Sequence, residues 1–314
     1  MLIYAAQRIG LALLICAIAM AILISGTRLI PGDLATIMLG PRATPERVAQ
    51  LNEEMGFNRP LPVQIGLFLG KAVQGDLGTD PLTERKISVI VMENLPHTLV
   101  LIGTGLGWAV LLGIPLGCYS AIRRNSFIDK FTGVISVGTI SVPSFVVAIY
   151  AALIFAVYLR WLPMIGAGEP GRIGDQALHL VMPSLAVGLG WVGYLARIVR
   201  ASMLEVMGEN HIRTARAFGL PESTVVARYA LRIAILPTLT LMALAISALL
   251  SGTIYSEQIF VRPGIGSLIV DSALLRNYPV LQGAVLVTVA IYVAATIVTD
   301  LLVAWLDPRV RGAA

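Results

Sequence analysis

Glu209-Asn210-His211-Ile212-Arg213-Thr214-Ala215-Arg216-Ala217-Phe218-Gly219-Leu220-Pro221 is the stretch on which the reading of this chain turns. Helix-forming residues run from Glu205 to Gly219, a residue that can take the left-handed conformation closing a helix. Pro221 and Glu222 then suit the first turn of another helix. The segment predicts a helix, a glycine bend and a second helix. Ile212, Ala215 and Phe218 fall at three-residue spacing, so a small apolar stripe flanked by Arg213 and Arg216 is expected to be presented. Such a stripe can lie against the chain's own bundle or against lipid headgroups, or it can dock a soluble partner. The residues alone leave both readings open.

Outward from this segment the chain is apolar on both sides. Of its 314 residues, 57% are hydrophobic with glycine left out and 13% are charged, against about 25% charged in a typical soluble domain. That is too little polar surface for a water-soluble particle of this size. A helix crosses the hydrocarbon with about 20 mostly apolar residues, because each backbone N–H and C=O must be bonded internally there. Six stretches qualify: Ile9 to Thr27, Thr98 to Ala121, Phe131 to Leu159, Leu180 to Ile198, Ala230 to Ser256 and Gly283 to Trp305. The first is longer than a secretory h-region, and Arg28-Leu29-Ile30-Pro31 follows it instead of a small-residue cleavage site, so it reads as an uncleaved span. Pro115, Pro143, Pro183 and Pro237 stand inside spans and predict kinked helices whose freed carbonyls need neighbours. Gly103 and Gly107 match a small-xxx-small packing pattern.

Positive charge orients the spans, since short cytoplasmic loops retain it. Arg8, Arg123, Arg124, Lys130, Arg200, Arg213, Arg216, Arg228, Arg309 and Arg311 fall on one side; Arg160, Arg172, Arg262 and Arg276 fall on the other. Both termini are therefore expected in the cytoplasm. The segment from Arg28 to His97 is expected outside, and it balances its bases with acids. Within it, Thr44-Pro45-Glu46-Arg47 resembles a helix start, and a short helix from Pro45 to Met55 would end at Gly56. A small external platform is expected there rather than a long structureless loop.

Several chemistries find no residues. Lysines occur only in Gly70-Lys71-Ala72, Arg85-Lys86-Ile87 and Asp129-Lys130-Phe131, and none fits the Gly-Lys-Ser/Thr of a phosphate-binding loop. His97, His179 and His211 are isolated from one another and from Cys16 and Cys118, so no zinc site is expected. The cysteines lie in apolar runs and read as small hydrophobes. Ser25, Ser202 and the other hydroxyls lack His and Asp at nucleophile spacing. The bases form no block with interleaved aromatics, which argues against nucleic acid. Arg197, Arg232, Glu257 and Asp300 stand near span ends, where snorkelling to the interface is expected. An ion-coupled carrier would instead bury charge near the midplane.

The tract from Arg213 to Pro221, followed by Arg228-Tyr229-Ala230-Leu231-Arg232 and Ile235-Leu236-Pro237, resembles the EAA loop of binding-protein-dependent ABC importer permeases, in the version of the dipeptide, oligopeptide and nickel branch. Further tracts agree along the chain: Leu29-Ile30-Pro31-Gly32-Asp33, Gly75-Asp76-Leu77-Gly78, Leu95-Pro96-His97-Thr98-Leu99, Ile114-Pro115-Leu116-Gly117, Ser141-Val142-Pro143-Ser144-Phe145, Arg262-Pro263-Gly264-Ile265-Gly266, Asn277-Tyr278-Pro279 and Leu306-Asp307-Pro308-Arg309. Their order and spacing resemble the branch's first permease subunit. Two departures from the general loop, Arg213-Thr214-Ala215 for Glu-Ala-Ala and the long stretch from Gly219 to Pro237, are shared with the branch. Tyr229 for the usual histidine is a further departure.

The resemblance implies an all-α integral membrane protein with six transmembrane helices in the type I ABC importer permease fold, and a small external subdomain between the first and second spans. Residues 1–94 would hold the first helix and the external, periplasmic segment, 95–305 the core with its cytoplasmic coupling loop at about 200–229, and 306–314 a tail. It implies a second homologous permease, two cytosolic ATPase subunits carrying ATP and Mg, an external substrate-binding protein and a surrounding lipid bilayer, in a bacterial or archaeal cytoplasmic membrane. The chain would be no enzyme itself and would bind no cofactor or metal. Glu209, Ile212, Arg213, Thr214, Ala215, Arg216, Ala217, Phe218, Gly219, Leu220 and Pro221 would seat in a groove of an ATPase. For the solute path the candidates are Ser141, Pro143 and Ser144 in the third span and Ser256, Glu257 and Gln258 at the outer end of the fifth; core packing accounts for them equally well. The solute would be a di- or oligopeptide or a similar small molecule, with nickel, glutathione, or an opine or sugar as alternatives within the family. An ion-coupled secondary carrier is the alternative outside it, and a non-transporting membrane scaffold a second.

Overall fold

The computed structural model describes residues 2–29, 32–56 and 58–306. Ile30 and Pro31 of one motif, Asp307 to Arg309 of another, and nearly all of the expected tail fall outside them. Among the described residues every regular element is helical, and strand pairing is confined to an isolated antiparallel bridge between Thr79 and Lys86. The chain divides into two compact units, one of Met1–Thr98 with Pro263–Ile297, the other of Leu99–Arg262 with Val298–Ala314. The spatial grouping thus adds a later segment to the expected 1–94 region.

The first unit opens with α1 (Leu2–Arg28), then α2 (Leu34–Leu39), α3 (Pro45–Met55) and α4 (Leu61–Val73). Local chemistry sets their ends. Asp33 caps α2 by accepting from the Thr36 backbone N–H at 3.1 Å, and Thr44 caps α3 through Arg47 N–H at 3.3 Å, with Pro45 in the first turn. Gly56 closes α3 in the left-handed conformation at φ 65°. The helix expected from Pro45 to Met55 is therefore present. Met20 and Ile24 of α1 are buried with the apolar face of α4, among them Leu61, Ile65 and Phe68. After α4, Asp80 gathers the turn before the next helix: its carboxylate accepts from Leu82 N–H at 3.0 Å, from the Thr83 hydroxyl and from Asn277 Nδ2 at 2.8 Å.

The helix α5 (Ile87–Trp108) begins in the first unit and continues into the second. A π-turn at Ala109–Gly113 joins it to α6 (Ile114–Ile122). Next come α7 (Phe127–Ser141) and α8 (Ser144–Ala151), which widens into a π-turn to Tyr158. The long α9 (Ile173–Val206) is followed by α10 (Asn210–Ala217), α11 (Glu222–Thr224), a π-turn at Val225–Ala230, α12 (Leu231–Ala234) and α13 (Leu236–Ile259). The chain returns through α14 (Ile265–Leu274) and α15 (Tyr278–Leu306).

Among the described residues, five continuous helical stretches are long and apolar enough to cross a membrane: Gly10–Arg28, Ile87–Ile122, Ile173–Val206, Leu236–Ile259 and Tyr278–Val298. The expected third span is not one rod. Its halves, Phe127–Ser141 and Ser144–Tyr158, meet at a bend of 100°, because Val142 is extended and Pro143 withholds the donor that would continue the helix. Counting that pair as one span gives six. Of the four prolines expected to kink spans, Pro183 lies inside α9 and Pro115 inside the continuous Ile87–Ile122 stretch, just past its π-turn, whereas Pro237 stands in the first turn of α13, where no donor is needed, and Pro143 immediately precedes α8.

Within the second unit α9 is the axis. At 34 residues it is about 51 Å long, so it overreaches a hydrocarbon layer about 30 Å thick. Close approach to it depends on glycines other than those expected. Nothing lies within 4 Å of a side chain built on Gly103 or Gly107, whereas Gly105 faces Gly188 backbone to backbone, and a methyl on Gly113 would stand 2.8 Å from the Val192 carbonyl oxygen. Gly105 on α5 and Gly113 at the end of the π-turn carry the packing against α9.

Candidate functional site

The inner corner is built by α9, α10 and the segment after it. α10 begins after the extended Glu209 and runs for eight residues. Its end is doubly bonded: Gly219 N–H donates to Arg216 O at 2.9 Å and Leu220 N–H reaches back to Ala215 O at 3.4 Å, with Gly219 at φ 75°. This arrangement satisfies carbonyls that a helix end would leave open, and it turns the chain onto Pro221, the residue before α11. Arg216 crosses the bend and grips Glu222 with two nitrogens, at 2.6 and 3.1 Å. The pair holds the Glu222 carboxyl below its ordinary pKa and the Arg216 guanidinium above its own, each chiefly through those hydrogen bonds.

Of the stripe expected to be presented, only Phe218 is presented. Ile212 is 0% exposed and Ala215 5%, while Phe218 is 82% exposed. The first two sit in one cluster with Val199, Met203 and Val206 of α9 and with Val225, Ala230 and Ala234 beyond the bend. Three-residue spacing drifts around a helix of 3.6 residues per turn, and the inward and outward faces part between Ala215 and Phe218. Outward stand Asn210, Arg213, Thr214, Ala217 and Phe218. Glu209 is exposed and lies 3.0 Å from His211 Nδ1. Tyr229 is exposed on the π-turn beside the buried Ala230.

A second place of interest adjoins the 100° bend. A cleft of about 430 Å³ is lined by Ile140, Val142 and Ser144 from the broken helix, by Gly190, Trp191 and Tyr194 from α9, and by Ala248, Leu249 and Gly252 from α13. Of the six residues expected along a solute path, only Ser144 lines it. Ser141 and Pro143 form the bend itself, with the Ser141 hydroxyl turned back to Val137 O at 2.8 Å. Ser256 is buried and donates to the Pro183 carbonyl at 3.2 Å, so a neighbouring helix supplies a hydroxyl near the interior proline. Glu257 is fully buried and does not snorkel. Arg262, expected as an exposed loop base, is also buried; burial pushes its pKa down and the charge of Glu257 opposes that. Arg232 is exposed in the short α12, and Arg197 is exposed although α9 runs on for nine more residues to Val206; the side chain of Asp300 is outside those described.

One polar group was not foreseen. Asp129, buried at the start of α7, takes Arg200 Nε at 2.5 Å and Nη2 at 2.8 Å, the Ser120 hydroxyl at 2.5 Å and the Asn125 N–H at 2.9 Å. It ties the turn between α6 and α7 to α9, ten residues before the start of α10. An acid adjoining an apolar stretch is the signal that points to such a partner; the partner itself is 71 residues away in the chain.

Residues 113–312 match the family described as binding-protein-dependent transport system inner membrane component, and residues 1–102 match its N-terminal companion. The glutathione transport system permease protein GsiC of Salmonella paratyphi A is 36% identical over 283 residues, covering 90% of both chains. GsiC of Pectobacterium atrosepticum is 35% identical over 294 residues and 94% of both. A Brucella suis protein named, provisionally, as a peptide permease is 37% identical over 290 residues, covering 90% of this chain and 91% of its own. Among solved structures, the inward-facing MetNI methionine ABC transporter is similar with a TM-score of 0.58 at 14% identity, over 73% of this chain and 100% of that one. That likeness bears on the fold alone.

Proposed function

We propose that this chain, which belongs to the family of binding-protein-dependent transport system inner membrane components, is one membrane-spanning half of an ATP-driven importer for di- or oligopeptides, glutathione or a chemically similar small solute. The observation that carries the reading is the two-sidedness of α10. Its inner face, Ile212 and Ala215, is sealed against α9 and the segment beyond the bend, and its outer face, Arg213, Thr214, Ala217 and Phe218, is open. A helix that takes force from a soluble subunit needs one face free to be gripped and another that cannot slip.

A cytosolic ATPase seated on the open face closes when it binds ATP and moves α10. The doubly bonded bend and the Arg216–Glu222 grip carry that motion through Val225–Ala230 toward α13, and the buried cluster carries it into α9. Coupling then requires that nucleotide and solute each favour one of two discrete arrangements. ATP and Mg belong to the partner subunits, because none of this chain's lysines stands in a phosphate-binding loop. A second, homologous permease completes the pore and an external binding protein delivers the solute. The cleft beside Pro143, with Ser144, Gly190, Tyr194 and Gly252, is this half's share of the path.

In this arrangement both termini and α10 lie in the cytoplasm of a bacterial or archaeal cell. Residues 1–94 supply the first helix and the external platform, 95–305 the core, and 306–314 the tail. The test is to replace Ala217 by Glu and Phe218 by Asp in the assembled complex. The expected result is a chain that stays in the membrane with unchanged melting, while the ATPase no longer co-purifies and import stops. Full retention of the ATPase by that variant would sink the docking assignment. Solute uptake driven by an ion gradient in vesicles lacking any ATPase would establish a secondary carrier instead.

A further inference from the structure

The turn between α6 and α7 carries a surface that neither the coupling corner nor the cleft uses. Asp129, Thr132 and Ser136 face inward on α7 and are buried. The opposite face presents Phe127, 82% exposed, then Phe131 and Val134, at the spacing of one helical side. The two phenyl rings stack at 6.1 Å with an interplanar angle of 14°. Around them Arg123, Arg124 and Lys130 are all exposed, and the Arg123 guanidinium lies 5.4 Å from the centre of the Tyr119 ring. The only acid between residues 119 and 134 is Asp129, and its carboxylate is already held by Arg200. Three cations therefore stand with no neutralising acid in their own turn, beside aromatic side chains at the end of a long apolar face.

We propose that this turn is a binding site for an anionic phospholipid. Its headgroup phosphate and net negative charge are met by Arg123, Arg124 and Lys130, and its acyl chains lie along Phe127, Phe131 and Val134. The chemistry selects that occupant in two ways. An uncompensated cationic cluster attracts a net anion over a zwitterion, and the exposed Tyr119 ring beneath Arg123 suits the boundary between headgroup and hydrocarbon, with the phenyl rings of Phe127 and Phe131 on its apolar side. The Asp129–Arg200 pair gives the site its shape, because it turns the one acid inward and leaves the cations alone outside. The inference rests on the chain being a membrane protein and is independent of its solute.

Native mass spectrometry of the intact complex, offered phosphatidylglycerol and phosphatidylcholine together, reads the preference. Wild type is expected to retain phosphatidylglycerol selectively, and the combined variant Arg123→Gln, Arg124→Gln, Lys130→Gln to lose that selectivity by roughly tenfold or more. Arg160→Gln, which removes an exposed charge elsewhere, is expected to leave it intact. A photo-crosslinking amino acid in place of Phe127 supplies a second readout and is expected to label phospholipid. Labelling of an ATPase or second permease subunit instead, or equal retention of both lipids by wild type, would overturn the proposal. Neither readout measures import, so a failure of the transport assignment is distinguishable from a failure of this one.

Discussion

Two short helices in this chain end in the same way. Pro45–Met55 closes at Gly56 with φ 65°, and Asn210–Ala217 closes at Gly219 with φ 75°. Both endings are legible from their flanking residues, but the start of the second is not: the residues read as helix from Glu205 onward, whereas α9 stops at Val206 and Glu209 is extended before α10. The two helices differ in what lies beneath them. The first buries Leu51 with a small cluster that includes Leu34, Met38 and Tyr278, and most of its side chains with described exposure face solvent. The second drives Ile212 and Ala215 into a cluster shared by α9 and the residues beyond the bend. One local code thus yields a mostly exposed helix in one unit and a helix anchored along one face in the other. Burial of the inner face, not helix propensity, makes the difference, since a helix of eight residues has little stability of its own.

The largest effect expected from this contrast comes from charge. Ala215→Glu would bury a carboxylate without a partner and cost several kcal/mol, so the melting temperature of the detergent-purified chain should collapse. Ala49→Glu, on the exposed side of α3, should stay within about 0.5 kcal/mol. Equal tolerance at both positions would break the comparison. Next in size is Ile212→Ala, which leaves a cavity in the corner and should cost about 2–5 kcal/mol, seen as faster proteolysis at residues 209–230.

Gly219→Ala and Gly56→Ala should each cost about 1 kcal/mol, because both positions require the left-handed conformation. Here the two regions should agree, and thermal melting of each variant checks it. The smallest effect belongs to the Arg216–Glu222 grip. Both partners are roughly half exposed, so its contribution is under about 1 kcal/mol. The Glu222 carboxyl is held below its ordinary pKa in the folded chain. Its contribution is therefore present above the ordinary glutamate range and is lost as pH falls through the lowered value. Glu222→Gln should flatten the acid side of the stability profile by that small amount.

The errors of sequence reading share a cause. Spacing says which residues occupy one side of a helix, but not which way that side points. Ile212, Ala215 and Phe218 are all apolar, yet their three-residue spacing drifts around the helix, so that two point inward and one outward. Gly103 and Gly107 matched a packing pattern, but Gly105 and Gly113 meet α9. Glu257 and Arg262 sit near an apolar end, where exposure is the usual outcome, and are buried instead. Asp129 and Arg200 were separate charges until the fold placed them within hydrogen-bonding distance.

What the residues determined by themselves is local or cumulative: membrane residence from the length of apolar runs, helix ends from Thr44, Pro45, Gly56 and Gly219, and the break at Pro143 from a missing donor. These follow from the covalent chemistry of a few neighbours or from hydrophobicity summed over a span. Tertiary structure alone decided which face of each helix is sealed, how far the third span bends, and which charges find partners. Those outcomes depend on close packing between segments distant in the chain, and the free energy of burial is settled only when both surfaces are in place.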